Sequence, residues 1–197
     1  MSENALNILA VCGSNSAESS TKVALQDAAR RLVDAGCVVD FLDLHEIQLP
    51  LLNPENAWTQ PYYGPLKERV VRADVFLLGT PDYHGSVSGA LKNFTDHFWK
   101  EFAGKLFATV VASHEKGLTV HDQLRTIARQ CYAWALPYGV SLDDKADLRE
   151  GRIVSESLAG RLEMFARDVR VYGGLLAAQR RADIAGQEPG FLARHRK

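Results

Sequence analysis

The sequence predicts an α/β domain of three layers, with about five parallel strands and helices on both faces. Three observations predict it. Short runs that are apolar throughout recur along the chain, as strands buried on both faces do. Between them lie segments whose apolar residues step by three and four, the spacing of amphipathic helices. The 197 residues, 46% of them hydrophobic, supply one substantial core, and no internal repeat or low-complexity linker divides them, so 1–197 is read as a single domain.

Asn7–Gly13 (NILAVCG) is the first strand, an apolar run ending at glycine. The segment STKVALQDAARRLVDAG follows as a helix through Leu25, Ala28 and Leu32, stopped at Gly36. Cys37–Leu44 is the second strand. His45–Trp58, with Pro50, Pro54 and two asparagines, is loop. Pro61–Arg72 holds a short helix through Leu66 and Val70, and Asp74–Thr80 is the third strand. Ser88–Phe102 is helical, with Leu91, Phe94, Phe98 and Phe102 on one stripe, and Lys105–Ser113 is the fourth strand. Thr119–Leu136 is the clearest helix, stepping through Val120, Leu124, Ile127, Cys131 and Trp134, with Thr119 and Asp122 as a capping box. Tyr138–Leu142 is the fifth strand. A charged loop with Asp143, Asp144 and Asp147 precedes a last helix, Ser155–Tyr172, whose buried stripe is Leu158, Leu162, Phe165, Val169 and Tyr172; about 178–197 is tail.

Composition excludes several classes of function. A net charge of −1, without a block of one sign, offers no surface for nucleic acid; the basic end ARHRK reads as solvated chain. No stretch is long and apolar enough to span a bilayer, and no secretion signal is expected, as the N-terminus lacks a basic segment followed by an apolar core; the cysteine usage leads to the expectation of a reducing cytoplasm. Cys12, Cys37 and Cys131 form no C-x-x-C pair and suit neither a disulfide framework nor a metal site; Cys12 and Cys131 read as small buried hydrophobes.

In such a sheet, ligands bind beyond the carboxyl ends of the strands. Three loops there have unusual composition. The first, GSNSAESST, carries Ser14, Ser16, Ser19, Ser20 and Thr21 between a strand and a helix N-terminus, where amides and hydroxyls make a neutral phosphate cradle. Any one of these hydroxyls could equally cap the helix, and Glu18 is repulsive there unless it turns outward. The loop has no lysine, so it is not a nucleotide-hydrolase loop, and no G-x-G-x-x-G occurs. The second loop, PDYHGSVS, offers an aromatic surface at Tyr83 and close backbone approach at Gly85 to something flat, such as an isoalloxazine ring; as a plain turn it would use Pro81 as punctuation and Ser86 or Ser88 as cap. The third is SHEKGLT. A serine-hydrolase elbow fails because GSVSG centres on Val87.

GSNSAESST followed by PDYHGSVSGALKNFTDHF resembles the NADPH-dependent FMN reductase family over roughly Asn7 to Leu176. The second motif matches the family form P-E-Y-N-G-S-x-P-G-x-L-K-N-x-x-D-W at Pro81, Tyr83, Gly85, Ser86, Gly89, Leu91, Lys92, Asn93 and Asp96. It departs at Asp82, His84, Ser88 and His97. The resemblance implies a flavodoxin-like fold with strand order 2-1-3-4-5 and a bound FMN. It also implies NADPH or NADH as co-substrate and a small electron acceptor: a quinone, flavin, ferric chelate, azo dye or chromate. It implies that Ser14, Ser19 and Thr21, with Ser16 and Ser20 beside them, hold the FMN phosphate. Pro81, Asp82, Tyr83, His84 and Gly85 would line the ring, and Ser113, His114 and Gly117 would close over its pyrimidine end. Ser16 stands where the family commonly has arginine.

In that reading the chemistry belongs to the flavin and no side chain is catalytic. Hydride passes from NAD(P)H to N5, the nicotinamide leaves, and the acceptor stacks on the same face, a ping-pong exchange shaped by Tyr83, His84 and His114. A homodimer or homotetramer is expected, with Trp99 and Phe102 either under a partner or in the core. A flavodoxin-type carrier without substrate turnover is the alternative, which a charge of −1 disfavours.

Overall fold

The computed structural model describes residues 5–192. Its sheet has the order β2-β1-β3-β4-β5, all parallel, from β1 (Asn7–Cys12), β2 (Val38–Asp43), β3 (Val75–Pro81), β4 (Leu106–Ala112) and β5 (Trp134–Ala135). The expected fifth strand, Tyr138–Leu142, is shortened and is preceded by a second short strand where helix was expected. Trp134–Ala135 pairs with the start of β4, and β6 (Val140–Leu142) pairs with its end. Between them Pro137 has no amide to donate, and Gly139 lies where a Cβ would come within 2.5 Å of the His121 ring.

Both faces are covered, as strands without polar alternation require. On one side Ile8, Ala10, Val75, Leu77 and Ala108 pack against α1 (Ser20–Asp34) and the helix Glu156–Ala185. On the other, Leu9, Val11, Phe76, Leu78 and Phe107 meet α2 (Tyr63–Arg72), α3 (Gly89–Asp96) and α4 (Leu118–Gln130). The charged loop forms a single turn, α5 (Asp144–Asp147), and a hairpin of β7 (Leu148–Arg149) and β8 (Arg152–Ile153) before α6 (Glu156–Ala185).

Several boundaries differ from expectation for identifiable reasons. α4 stops at Gln130, not Leu136. Tyr132 takes a left-handed φ of 58°, and the bonds Ala133 N–H to Ala128 O (2.8 Å) and Tyr132 N–H to Arg129 O (3.2 Å) close a Schellman cap, usually built on glycine. Cys131 is therefore the cap residue, and Trp134 is on a strand and 58% exposed. At its start α4 is capped by Gly117 (φ 58°), not by a Thr119–Asp122 box. α3 ends at Asp96, and a 3-10 turn over Lys100–Phe102 follows. Phe102 is fully buried, edge-on to Phe76 at 4.8 Å between ring centroids, which leaves only Trp99 for a partner to cover.

α6 runs past Tyr172, which is exposed, because Gly173 lets the helix touch the sheet; a Cβ there would stand 2.6 Å from Val75 Cγ2. Its last turns, Ala178–Ala185, occupy part of the stretch read as tail. The basic end at 193–197 lies outside the described residues.

Candidate functional site

Three loops leave the carboxyl ends of β1, β3 and β4, the strands at the centre of the sheet. The first begins at Gly13, whose N–H donates to Gly79 O (2.8 Å) and whose carbonyl accepts from Ser88 Oγ (2.6 Å). Ser88 thus caps α3, accepting from Leu91 N–H, while tying the first loop to the second. Ser14 is buried and its hydroxyl accepts from Ser16 N–H (3.3 Å). Ser19 is the N-cap of α1, accepting from Lys22 N–H (3.1 Å). For that residue the helix-cap reading holds. Ser16 turns its hydroxyl to Glu18 O (3.2 Å), and His45 Nδ1 pins Asn15 O (2.8 Å) to the end of β2.

The second loop is a tight turn. Tyr83 and Ser86 exchange both backbone bonds (3.0 and 3.1 Å), with His84 (φ 58°) and Gly85 (φ 77°) left-handed between them. The left-handed region favours Gly and admits His at a cost, which explains the Gly at this place. Asp82 braces the site: one carboxylate oxygen accepts from Gly85 N–H (2.7 Å), the other from Ser113 Oγ (2.8 Å) in the third loop. The Tyr83, Gly85 and Ser86 amides are therefore used internally and do not face a ligand. Only that of His84 is not used so.

Gln123 of α4 was not singled out by the sequence. Its Oε1 accepts from Ser86 Oγ (3.0 Å) and Val87 N–H (3.2 Å), and its Nε2 donates to Gly85 O (3.0 Å), clamping the turn from outside. Its one sequence signal is position, a polar residue beside the buried Val120–Leu124 stripe. Asn93 ties its helix to the preceding loop, holding Leu52 N–H (2.9 Å) and Pro50 O (2.9 Å); Lys92 and Asp96 pair with each other at 2.6 Å.

The third loop rests on a buried polar chain. Ser141 Oγ gives its proton to Lys116 O, so His121 Nε2 must donate to Ser141 (3.1 Å) and Nδ1 must accept from the Thr109 hydroxyl (2.8 Å). This assigns the tautomer and holds Lys116 and Gly117 in their left-handed turn. Burial, aided by Arg125, pushes the His121 pKa down to about 4, so the ring is neutral at pH 7. An unfolded chain would protonate it first as acid is added. Stability is therefore lost as pH falls from about 6.5 towards 4, by about 3 kcal/mol from this group. His121→Gln, which bonds but does not titrate, is expected to flatten that acid limb in denaturant unfolding.

These loops bring Ser14, Ser16, Ser19, Ser20 and Thr21 against Pro81, Asp82, Tyr83, Ser113 and His114 around a cleft of about 240 Å³. Glu18 and Asp144 share its lining. His84, Gly85 and Gly117 border an adjoining depression of about 440 Å³, which Asp82, Ser113 and His114 also line. On the far side of Tyr83 lies a hollow of about 400 Å³ between Leu44, Leu49, Leu51 and Ala90, which no sequence motif announces. His114 is exposed and points its Nδ1 at Asp143 (3.0 Å), and this bond holds the Asp143 carboxyl below its usual range. Cys12, beneath the cradle, is buried and its thiol is pushed up, so it is no nucleophile.

A doubly wound sheet with a hydroxyl-lined cleft beyond the ends of its central strands defines a flavodoxin-like protein. The comparisons with known proteins agree. The family model described as NADPH-dependent FMN reductase matches residues 6–147, and the chain belongs to that family. The family's description names FMN and NADPH. An FMN-dependent NADPH-azoreductase of Staphylococcus haemolyticus (strain JCSC1435) is 33% identical over 116 residues, 54% of this chain and 60% of that protein. The chain therefore spans less than two thirds of that relative's length in the match. Among solved structures, FerB of Paracoccus denitrificans, a flavoenzyme NAD(P)H:(acceptor) oxidoreductase, superposes with a TM-score of 0.69 at 20% identity, covering 88% of this chain and 98% of FerB. A flavodoxin from Streptococcus pneumoniae TIGR4 superposes at 0.58 with 19% identity, covering 89% of this chain and 99% of the flavodoxin. Both show the fold.

Proposed function

We propose that this chain, as a single domain, is an FMN-dependent oxidoreductase that takes a hydride from NAD(P)H and reduces a small acceptor. Candidate acceptors are quinone, flavin, ferric chelate, azo dye and chromate. The observation that carries the reading is the cleft itself: a hydroxyl cradle at the N-terminus of α1 facing the Tyr83–Ser86 turn and the Ser113–Gly117 loop, with Asp82 bonded to both. When bound, FMN supplies the hydride-accepting and electron-donating chemistry.

The chain's own residues position and shield. Ser14, Ser16, Ser20 and Thr21, with the amides at the start of α1, hold the phosphate; Ser19 fixes the helix that presents them. Pro81, Tyr83, His84 and Gly85 form one wall for the ring. Asp82 acts through Gly85 and Ser113, and Gln123 through Gly85 and Ser86, as positioning residues. Ser113, His114 and Gly117 form the opposite rim. Donor and acceptor use one open face in turn, and the hollow beside Tyr83, walled by Leu44, Leu49 and Leu51, suits a planar apolar acceptor. A cytoplasmic homo-oligomer completes the proposal; exposed Trp99, beside Tyr132 at 6.2 Å between ring centroids, supports a contact with a second copy.

Anaerobic addition of NADPH, then NADH, to the FMN-loaded protein tests this. Bleaching of the visible flavin band, restored by a quinone, is the expected result. A band that neither nicotinamide bleaches would leave an electron carrier instead.

A further inference from the structure

The phosphate end of the cleft has an unusual charge balance. Its attractive element is the N-terminus of α1, a helix of 15 residues carrying roughly half a positive charge there. Opposed to it, Glu18 and Asp144 line the same cleft, both exposed, and Asp82 stands across from them. Glu18 has no ion-pair partner among the described residues. The nearest base in sequence, Lys22, is committed elsewhere, with its Nζ 2.5 Å from Asp43 and 3.4 Å from Glu46. His114 is held by Asp143 at 3.0 Å with Asp144 at 3.6 Å, so any charge it gains is already matched. Ser16 binds Glu18 O, where an arginine side chain would reach the ligand. Among the described residues no free cation lines the cleft.

We infer that the phosphate adds little to flavin binding in this chain, so that the site takes FMN and riboflavin alike, as exchangeable ligands recognised by ring and ribityl chain. This rests on the flavin reading proposed above. Phosphate sites built on arginine gain charge-assisted, bidentate bonds. Here hydroxyls and amides supply neutral bonds, and the carboxylates of Glu18 and Asp144 offset the helix terminus. Salt would screen that repulsion, so FMN affinity should not fall as salt rises, the reverse of a site held by a cation.

The test is fluorescence-quenching titration of the flavin-free full chain with riboflavin and with FMN, at about 0.01 M and about 0.3 M salt. The two dissociation constants are expected to lie within about tenfold, a gap smaller than one charge-assisted contact gives. FMN binding should hold level or tighten with salt. Glu18→Gln should tighten FMN by about two- to fivefold, the scale of one exposed charge pair, and leave riboflavin where it was. FMN bound more than tenfold tighter than riboflavin, or weakened by salt, would overturn the inference while leaving the flavin reading intact. If neither flavin quenched, both would fall. Equal binding without bleaching by a nicotinamide would remove only the proposed activity.

Discussion

Ser16→Arg is expected to tighten FMN by about ten- to a hundredfold, the range of a hydrogen bond to a charged group, and to leave riboflavin nearly unchanged. Ser16 is exposed in the first loop and its hydroxyl bonds a backbone carbonyl, Glu18 O, while its N–H bond to Ser14 survives substitution, so the fold loses little by the change. A guanidinium there would supply the fixed cation that the cleft lacks among the described residues, close to the start of α1. The same variant should make FMN binding weaken with salt, because attraction would replace repulsion. Paired quenching titrations of both flavins read both effects. An equal gain for riboflavin would mean that the arginine had met the ring or the ribityl chain, and that the phosphate lies elsewhere.

Gly13→Ala is expected to damage the fold at the base of the cleft with a single methyl group. Its Cβ would stand 2.6 Å from Leu91 Cβ and 3.0 Å from both Gly79 O and Ser88 Oγ. None of these is the free end of a long side chain. The new atom pushes β1, β3 and α3 apart at the point where the first two loops are tied together. Overpacking of this kind costs about 2–3 kcal/mol, or roughly 5–10 °C in Tm for a chain of this size. Flavin affinity should fall with it, since the cradle starts at this residue. Gly89→Ala is the control: nothing lies within 4 Å of its Cβ position, so stability should hold. Thermal unfolding of the two variants beside the native chain decides the matter.

The layers of the fold were legible because burial on both faces writes itself as uninterrupted apolar runs, and amphipathic helices as steps of three and four. Helix ends were legible where glycine marks them, as at Gly36, and illegible where another residue takes the left-handed place, as Tyr132 does. The glycine at position 173 acts for the opposite reason, close packing inside a helix, and so the last helix outran its expected end. The candidate site was legible as loops, because hydroxyls crowd after β1 and a turn motif follows β3. What holds those loops was not legible. Gln123, His121 and Ser141 act across sequence separations of 12 to 38 residues, through hydrogen bonds that carry no local pattern. Asp82, expected at the ligand, lines the cleft and also joins two loops, a role fixed by the neighbour that Ser113 becomes only in the folded chain.

The most direct test of the central claim is a crystal structure of the chain grown with excess FMN. The account predicts the ring between the Tyr83–Ser86 turn and the Ser113–Gly117 loop, with the phosphate among Ser14, Ser20 and Thr21 at the head of α1. Density for FMN at another place, or a cleft that stays closed to it, would contradict the account.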